Sequence, residues 1–302
     1  MTKANQETEA EHSEAEVSFA LLVFRCFDIN AENAMFSCQF AAIYNKKTTR
    51  TEDRLMNILK KLYDKSKIWF ALSWIIAYCV LMSAGDALSA LVGIDKSVTL
   101  AVGIILSAIL VLFLKKNALL VDYGFCVPKT SARSMLYYLP ILVMLTANLW
   151  CGVTLNFGAL ETVLYILSML CVGFLEEVIF RGLLFEAMRK DNLKVAIIVS
   201  SITFGIGHII NLINGSGAEL LPNLLQVVYA TAAGFMFVMM YYKSKSLIVC
   251  IAAHGIFNAL SAFANEANTT DEMRIFTAIL LAVITGSYAL YLALSIKGKT
   301  SE

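Results

Sequence analysis

The stretch ETVLYILSMLCVGFLEEVIFRGLLFEAM, Glu161–Met188, decides how the chain folds and where its chemistry sits. It reads as a transmembrane helix that carries two adjacent carboxylates, Glu176 and Glu177, and an arginine, Arg181. Charge at membrane depth is expensive, so it faces a cavity or a partner and marks a functional site. Two later apolar stretches bring matching groups. Ser200–Asn211 holds Phe204 and His208, and Ile248–Phe263 holds His254 and Asn258. Together the three read as one buried polar site inside a helical membrane protein.

The rest of the chain supports that setting. Of 302 residues, 59% are hydrophobic and 16% charged, with mean hydropathy +0.71. A typical soluble domain carries roughly 25% charged residues. The apolar residues fall into runs of about 20, the length that crosses a bilayer core of about 30 Å. Eight spans are expected, at about Ile68–Val92, Val98–Leu114, Ser134–Val153, Glu161–Leu184, Val195–Ile213, Leu221–Tyr241, Ser246–Ala264 and Ile275–Ile296. The expected fold is all-α and polytopic, with about eight transmembrane helices around an intramembrane polar site. Residues 1–67 read as a polar N-terminal extension and 68–297 as the membrane domain.

Within the extension, Met1–Glu16 is acidic and polar and reads as disordered, with no cleavable signal peptide. Val17–Tyr44 leaves a surface helix, an extension or a strand pair open. Lys46–Lys67 has Leu55, Ile58, Leu59 and Leu62 at helical spacing. That pattern fits an amphipathic helix on the membrane surface or an ordinary solvated helix. The seven cysteines, Cys26, Cys38, Cys79, Cys126, Cys151, Cys171 and Cys250, are scattered without a CxxC pair. They read as small buried hydrophobes. A net charge of +1 gives no reason to expect nucleic acid as a partner.

Loop charge orients the chain. Lys65, Lys67, Lys115, Lys116, Lys129, Arg133, Arg189, Lys190, Lys194, Lys243, Lys245, Lys297 and Lys299 share one set of loops, and Lys96 and Arg274 the other. The positive-inside rule then places both termini in the cytoplasm. His208 lies about 21 Å of helix beyond Lys194, His254 about 13 Å beyond Lys245, and Glu176 about 19 Å before Arg189. These depths put the site in the cytoplasmic half or near the middle, where water reaches it from one side.

The residue types suit amide hydrolysis. Glu177 and Arg181, four apart, can pair on one helix face and leave Glu176 free. Glu176 can take a proton from water, His208 can orient that water or share the proton, and His254 and Asn258 can donate to an oxyanion. Glu176, His208 and His254 also make a two-His, one-carboxylate set sufficient for catalytic zinc. No HExxH motif and no GxSxG elbow is present.

EEVIFR at 176–181, FGIGH at 204–208 and HGIFN at 254–258 resemble the EExxxR, FxxxH and HxxxN motifs of the CPBP family, the CAAX-protease and bacteriocin-processing (Abi) membrane endopeptidases. The resemblance covers about Ser134–Phe263. It implies an intramembrane endopeptidase in which Glu176 and His208 activate water and His254 and Asn258 form the oxyanion site. Glu177, Arg181 and Phe204 support them. The family is often labelled metalloprotease; the resemblance favours a glutamate mechanism and leaves zinc open. It implies substrates that are prenylated CAAX-like proteins or secreted, bacteriocin-like peptides, met in the lipid bilayer. The short loops look more like a bacterial member. The competing class is a non-catalytic immunity or scaffold protein that binds a partner, such as a bacteriocin-system protein, through the same cavity.

Overall fold

The computed structural model describes residues 52–136, 138–214 and 219–297. The expectations for Met1–Glu16 and Val17–Tyr44, and Cys26 and Cys38, lie outside the described residues. Residues 52–65, inside the expected Lys46–Lys67 helix, are helical.

Eight apolar helices make up the described part of the membrane unit. They are α1 (Lys67–Val92), α2 (Ser97–Lys116), α3 (Leu139–Leu149), α4 (Ala159–Arg189), α5 (Leu193–Leu212), α6 (Leu220–Ser244), α7 (Ile248–Phe263) and α8 (Asp271–Lys297). Six are long and apolar enough to cross a membrane, and α3 and α7 are shorter. Outward side chains such as Trp69, Ile76, Leu139 and Ile279 are large, apolar and exposed, as a lipid-facing surface requires. The protein is an all-α, multi-pass membrane protein. Among the described residues the only β pairing is a single bridge, Val153 to Ala264.

The third expected span, Ser134–Val153, is broken. The short helix Ala132–Met135 ends where Leu136 adopts φ 50°, a left-handed conformation costly for a side chain with a Cβ. Pro140 then sits in the first turn of the next helix, where its missing N–H has no partner to lose. A 3₁₀ turn at Ala147–Leu149 and Gly152, at φ 102°, close the segment.

The two ends of the bundle are built differently. Toward the lysine- and arginine-rich loops it is solid, and Phe70, Phe113, Leu114, Phe185 and Leu247 have no exposed surface. The connection 117–131, which has no legible chemistry in the sequence, seals this end. Leu247 N–H donates to the Gly124 carbonyl at 2.9 Å, Lys129 N–H to the Ser244 carbonyl at 2.8 Å, and Thr130 Oγ1 to the Lys243 carbonyl at 2.8 Å. Gly124, at φ 81°, lies so close to Tyr241 that a Cβ would be 2.6 Å from its ring. Toward the other loops the bundle is hollow. There the segment 150–158 is pinned to the end of α7: Thr154 N–H donates to the Phe263 carbonyl at 3.0 Å. Asn156 Nδ2 donates to the Ala262 and Ala264 carbonyls at 3.1 and 2.9 Å.

Small residues set the helix crossings around the hollow. A Cβ on Gly173 of α4 would be 2.6 Å from the Gly255 backbone of α7, and one on Gly205 of α5 would be 2.9 Å from Thr231 Cα of α6. Inside a bilayer, where apolar burial does not drive association, such backbone approach is a main source of contact energy.

Candidate active site

The carboxylate pair sits where α4 changes its winding. Ala159–Glu176 is α-helical, Glu177–Phe185 is a π-helix, and Glu186–Arg189 is α-helical again. Wide π turns are rare and concentrate at functional sites, because they re-aim side chains at the expense of regular backbone bonding. Ser200 of α5 donates to the Phe180 carbonyl inside this segment at 2.9 Å.

Glu177 and Arg181 pair as the spacing predicts. Arg181 Nη1 lies 2.9 Å from Glu177 Oε1, and neither side chain has exposed surface. The guanidinium lies over the Phe204 ring, 4.0 Å from its centroid, with Phe237 on another side at 5.5 Å. Aromatic faces attract a desolvated cation. Phe204 also meets the His208 and His254 rings edge to face, at 5.2 and 5.6 Å. One phenylalanine thus touches the arginine and both membrane histidines.

His254 lies between the two carboxylates. Its Nδ1 is 2.8 Å from Glu177 Oε1, and its Nε2 is 3.4 Å from Glu176 Oε2. Its ring stacks on Phe237 with 18° between planes. An ionised carboxylate only accepts, so Nδ1 carries a proton and donates to Glu177. This pairing fixes the imidazole in one orientation, as a carboxylate does for a catalytic histidine elsewhere.

Glu176 has one oxygen engaged and one free. The Tyr78 hydroxyl of α1 donates to Oε1 at 2.6 Å. Oε2 makes no hydrogen bond among the described residues and is the oxygen that faces His254. Tyr78 was not among the residues singled out from sequence. A usable signal was Asp86, a charge inside the first span and two turns from Tyr78 on the same helix, which marks α1 as a wall of something polar.

His208 begins a 3₁₀ turn, His208–Leu212, that follows the α-helical part of α5. Its Nδ1 lies 3.1 Å from the Phe204 carbonyl, so Nδ1 donates and Nε2 is left with its lone pair. The buried Asn223 holds this turn by donating to the His208 carbonyl at 2.8 Å. Phe237 and Asn223 are further contributors that the sequence reading passed over.

Glu176, Phe204, His208, His254 and Asn258 line one cavity of about 370 Å³, with Tyr78 in its wall. Glu177 and Arg181 stand behind it. Pockets for small ligands run from roughly 300 to 1,000 Å³, so the space suits a short extended peptide and not a folded one. Glu176, His208 and His254 do not converge as a metal-holding group, and no other cluster of three His, Cys, Asp or Glu does so among the described residues. The zinc set suggested by residue type therefore does not fit this arrangement.

With this geometry established, the comparisons with known proteins bear on the same segment. Residues 157–260 match the family described as type II CAAX prenyl endopeptidase Rce1-like. Every motif residue from Glu176 to Asn258 falls inside the match. Over this segment the chain is similar to that family. The chain is also 34% identical over 94 residues to a protein of Bacillus subtilis (strain 168) named "Putative membrane peptidase YdiL". That similarity covers 31% of this chain and 33% of the relative, so the chain spans about a third of the curated protein it matches. Tyr78 and Asp86 lie outside the matched segment.

Proposed function

We propose that the protein is an intramembrane endopeptidase that hydrolyses peptide bonds with a water activated by Glu176. The observation that carries this is the divided Glu176 carboxylate, with Oε1 held by Tyr78 and Oε2, buried and without a hydrogen bond among the described residues, facing His254 at the cavity wall. The family match and the YdiL similarity support the reaction class.

Charge balance assigns the protons. The cluster has two carboxylates and one guanidinium, so it is neutral only when one further proton sits on Glu176 or His254. Neutrality matters because an unpaired buried charge costs several kcal/mol. For Glu176 to act as base, the proton resides on His254, whose Nε2–H is then a cationic donor. Water bound between Glu176 Oε2 and the His208 Nε2 lone pair gives its proton to Oε2. The hydroxide attacks the scissile carbonyl carbon. The carbonyl oxygen takes the electron pair and is stabilised by His254 Nε2–H and the Asn258 carboxamide. Collapse breaks the C–N bond, and the departing nitrogen takes the proton from Glu176. Arg181 and Glu177 hold His254 in place throughout.

The substrates are peptides or lipidated proteins, and the loop charges favour a topology with both termini in the cytoplasm. The 68–297 region acts as the protease domain. The test is terminal mapping of cleaved peptides in membranes carrying wild type or Glu176→Gln. Loss of general-base catalysis is expected to slow turnover by about 10²–10⁴-fold with yield unchanged. Cleavage of a verified substrate at the wild-type rate by Glu176→Gln removes Glu176 as the base.

A further inference from the structure

The way each helix meets the cavity shows which side of the membrane feeds the site. α1 lines it from Tyr78 to Asp86, toward its C-terminal end, and α2 only from its first turn, at Thr99. α4 lines it from Tyr165 to Phe180, α6 from Gln226 to Phe237, and α7 from His254 to Ser261. In α5 the lining begins at Phe204 and runs on to Asn214. Each of these stretches runs toward the same set of loops, those at 93–96, 150–158, 213–219 and 264–270. Among the described residues, no position in 117–131, 190–192 or 243–247 lines the cavity.

Burial follows the same gradient. Phe237 is 1% exposed and His254 5%, whereas the side chains of Asp86 and Lys96 at the other end are 28% and 22% exposed. The cavity is closed toward the basic loops and open away from them. The open set of loops carries only Lys96 and Arg274 as cations. By the positive-inside rule, that set is not cytoplasmic.

We propose that the site draws its substrate from the non-cytoplasmic side of the membrane, and that this substrate is an exported peptide or an outer juxtamembrane segment, not a cytoplasmic C-terminus. The proposal rests on the endopeptidase reading above and on the orientation given by loop charge. The wall chemistry fits an extended main chain. Asn148, Asn211 and Gln226 put carboxamides in the wall, with Asn148 Nδ2 donating to the Phe257 carbonyl at 2.7 Å and Asn211 Nδ2 to Gln226 Oε1 at 3.3 Å. A carboxamide has two donors and two lone pairs, and each residue of an extended peptide offers one donor and one acceptor. At the mouth Lys96 and Asp86 pair at 2.7 Å, and Thr99 Oγ1 donates to the same Asp86 oxygen at 2.6 Å. Cation and anion together favour neither sign of substrate charge. The sequence-derived depths put the site in the cytoplasmic half or near the middle; the hollow extends from there toward the side opposite the cytoplasm.

The test reads accessibility, independent of cleavage. Ser83 lines the cavity and the native Cys79 lies one turn deeper. Ser83→Cys and Lys190→Cys proteins are expressed in bacterial cells. Intact cells and inverted membrane vesicles are treated with a charged, membrane-impermeant maleimide, and modified peptides are identified by mass spectrometry. The expected result is modification at position 83 about tenfold higher in intact cells than in inverted vesicles, with the reverse at position 190. Modification of both positions from one side overturns the proposal, as does modification of position 190 in intact cells. Modification of position 83 from neither side also overturns it, since the cavity would be sealed. Should Ser83→Cys fail to fold, Cys79 in the wild-type protein gives the same reading. Full activity in Glu176→Gln would remove the catalytic assignment and leave this result standing, so the two failures are distinguishable.

Discussion

α6 passes through both ends of the bundle and shows how they differ. Near its start, Gln226 and Tyr229 line the hollow; further on, Met236, Val238, Met239 and Met240 are buried and do not line it. α4 does the same, with Tyr165 and Met169 on the hollow and Leu183, Leu184 and Phe185 in the solid end. Both ends are apolar by composition. The solid end is filled by interlocking rings and aliphatic chains and sealed by the 117–131 connection. The hollow end is kept apart by close backbone crossings and by polar side chains that bond to one another or to the wall. The site lies on the boundary, so the solid end fixes its positions and the hollow end gives it open space. Changes in the two should therefore fail in different ways.

The largest effect on the folded protein is expected from Arg181→Ala, which leaves Glu177 buried without its cation. Breaking a buried pair in this way costs roughly 3–5 kcal/mol. Yield and thermal stability in detergent should fall sharply. An Arg181→Ala protein as stable as wild type would mean that the solid end does not depend on this pair. Gly173→Ala should come next. Its Cβ would meet the Gly255 backbone at 2.6 Å, so α4 and α7 must separate, at roughly 1–3 kcal/mol for overpacking. Lower melting temperature and lower turnover should appear together, since the crossing sets the distance between Glu176 and His254. Tyr78→Phe should have the smallest effect and the cleanest one. It removes the hydrogen bond to Glu176 Oε1, with a loss of about tenfold in kcat, within what bonds to charged groups contribute. KM and melting temperature should be unchanged. If Tyr78→Phe destabilises the protein as much as Arg181→Ala, the division between a solid end and a working end breaks down.

Much of this was legible in the sequence, for physical reasons that can be named. Apolar runs of membrane length marked eight spans, because lipid demands that length; six are helices long enough to cross, and the third and seventh are shorter. Glu177 and Arg181 paired because their spacing brings them to one face in either winding. The rest depended on contacts distant in sequence. Tyr78 and Glu176 are 98 positions apart, and a tyrosine in an apolar helix does not announce its partner. The π segment at Glu177–Phe185 has no local signature, since a wide turn is chosen by what surrounds it. The approach of His254 to Glu177 depends on the Gly173–Gly255 crossing, which composition does not disclose. The break in the third span was visible in part: Pro140 signals a helix start, but the left-handed Leu136 does not.

A doorway needs one jamb that stays put. The rim formed by 150–158 and the end of α7 is fastened by the Val153–Ala264 bridge and by three hydrogen bonds from Thr154 and Asn156. Lifting it would break these together, whereas an untethered loop moves freely on the nanosecond-to-microsecond scale. Across the opening, the turn between α1 and α2 reaches α4 through the exposed bond from Asp95 N–H to Glu161 Oε1 at 3.3 Å, a weaker fastening. The opening therefore has two unequal edges: one tied across to α7 by several bonds, the other tied to α4 by a single exposed one.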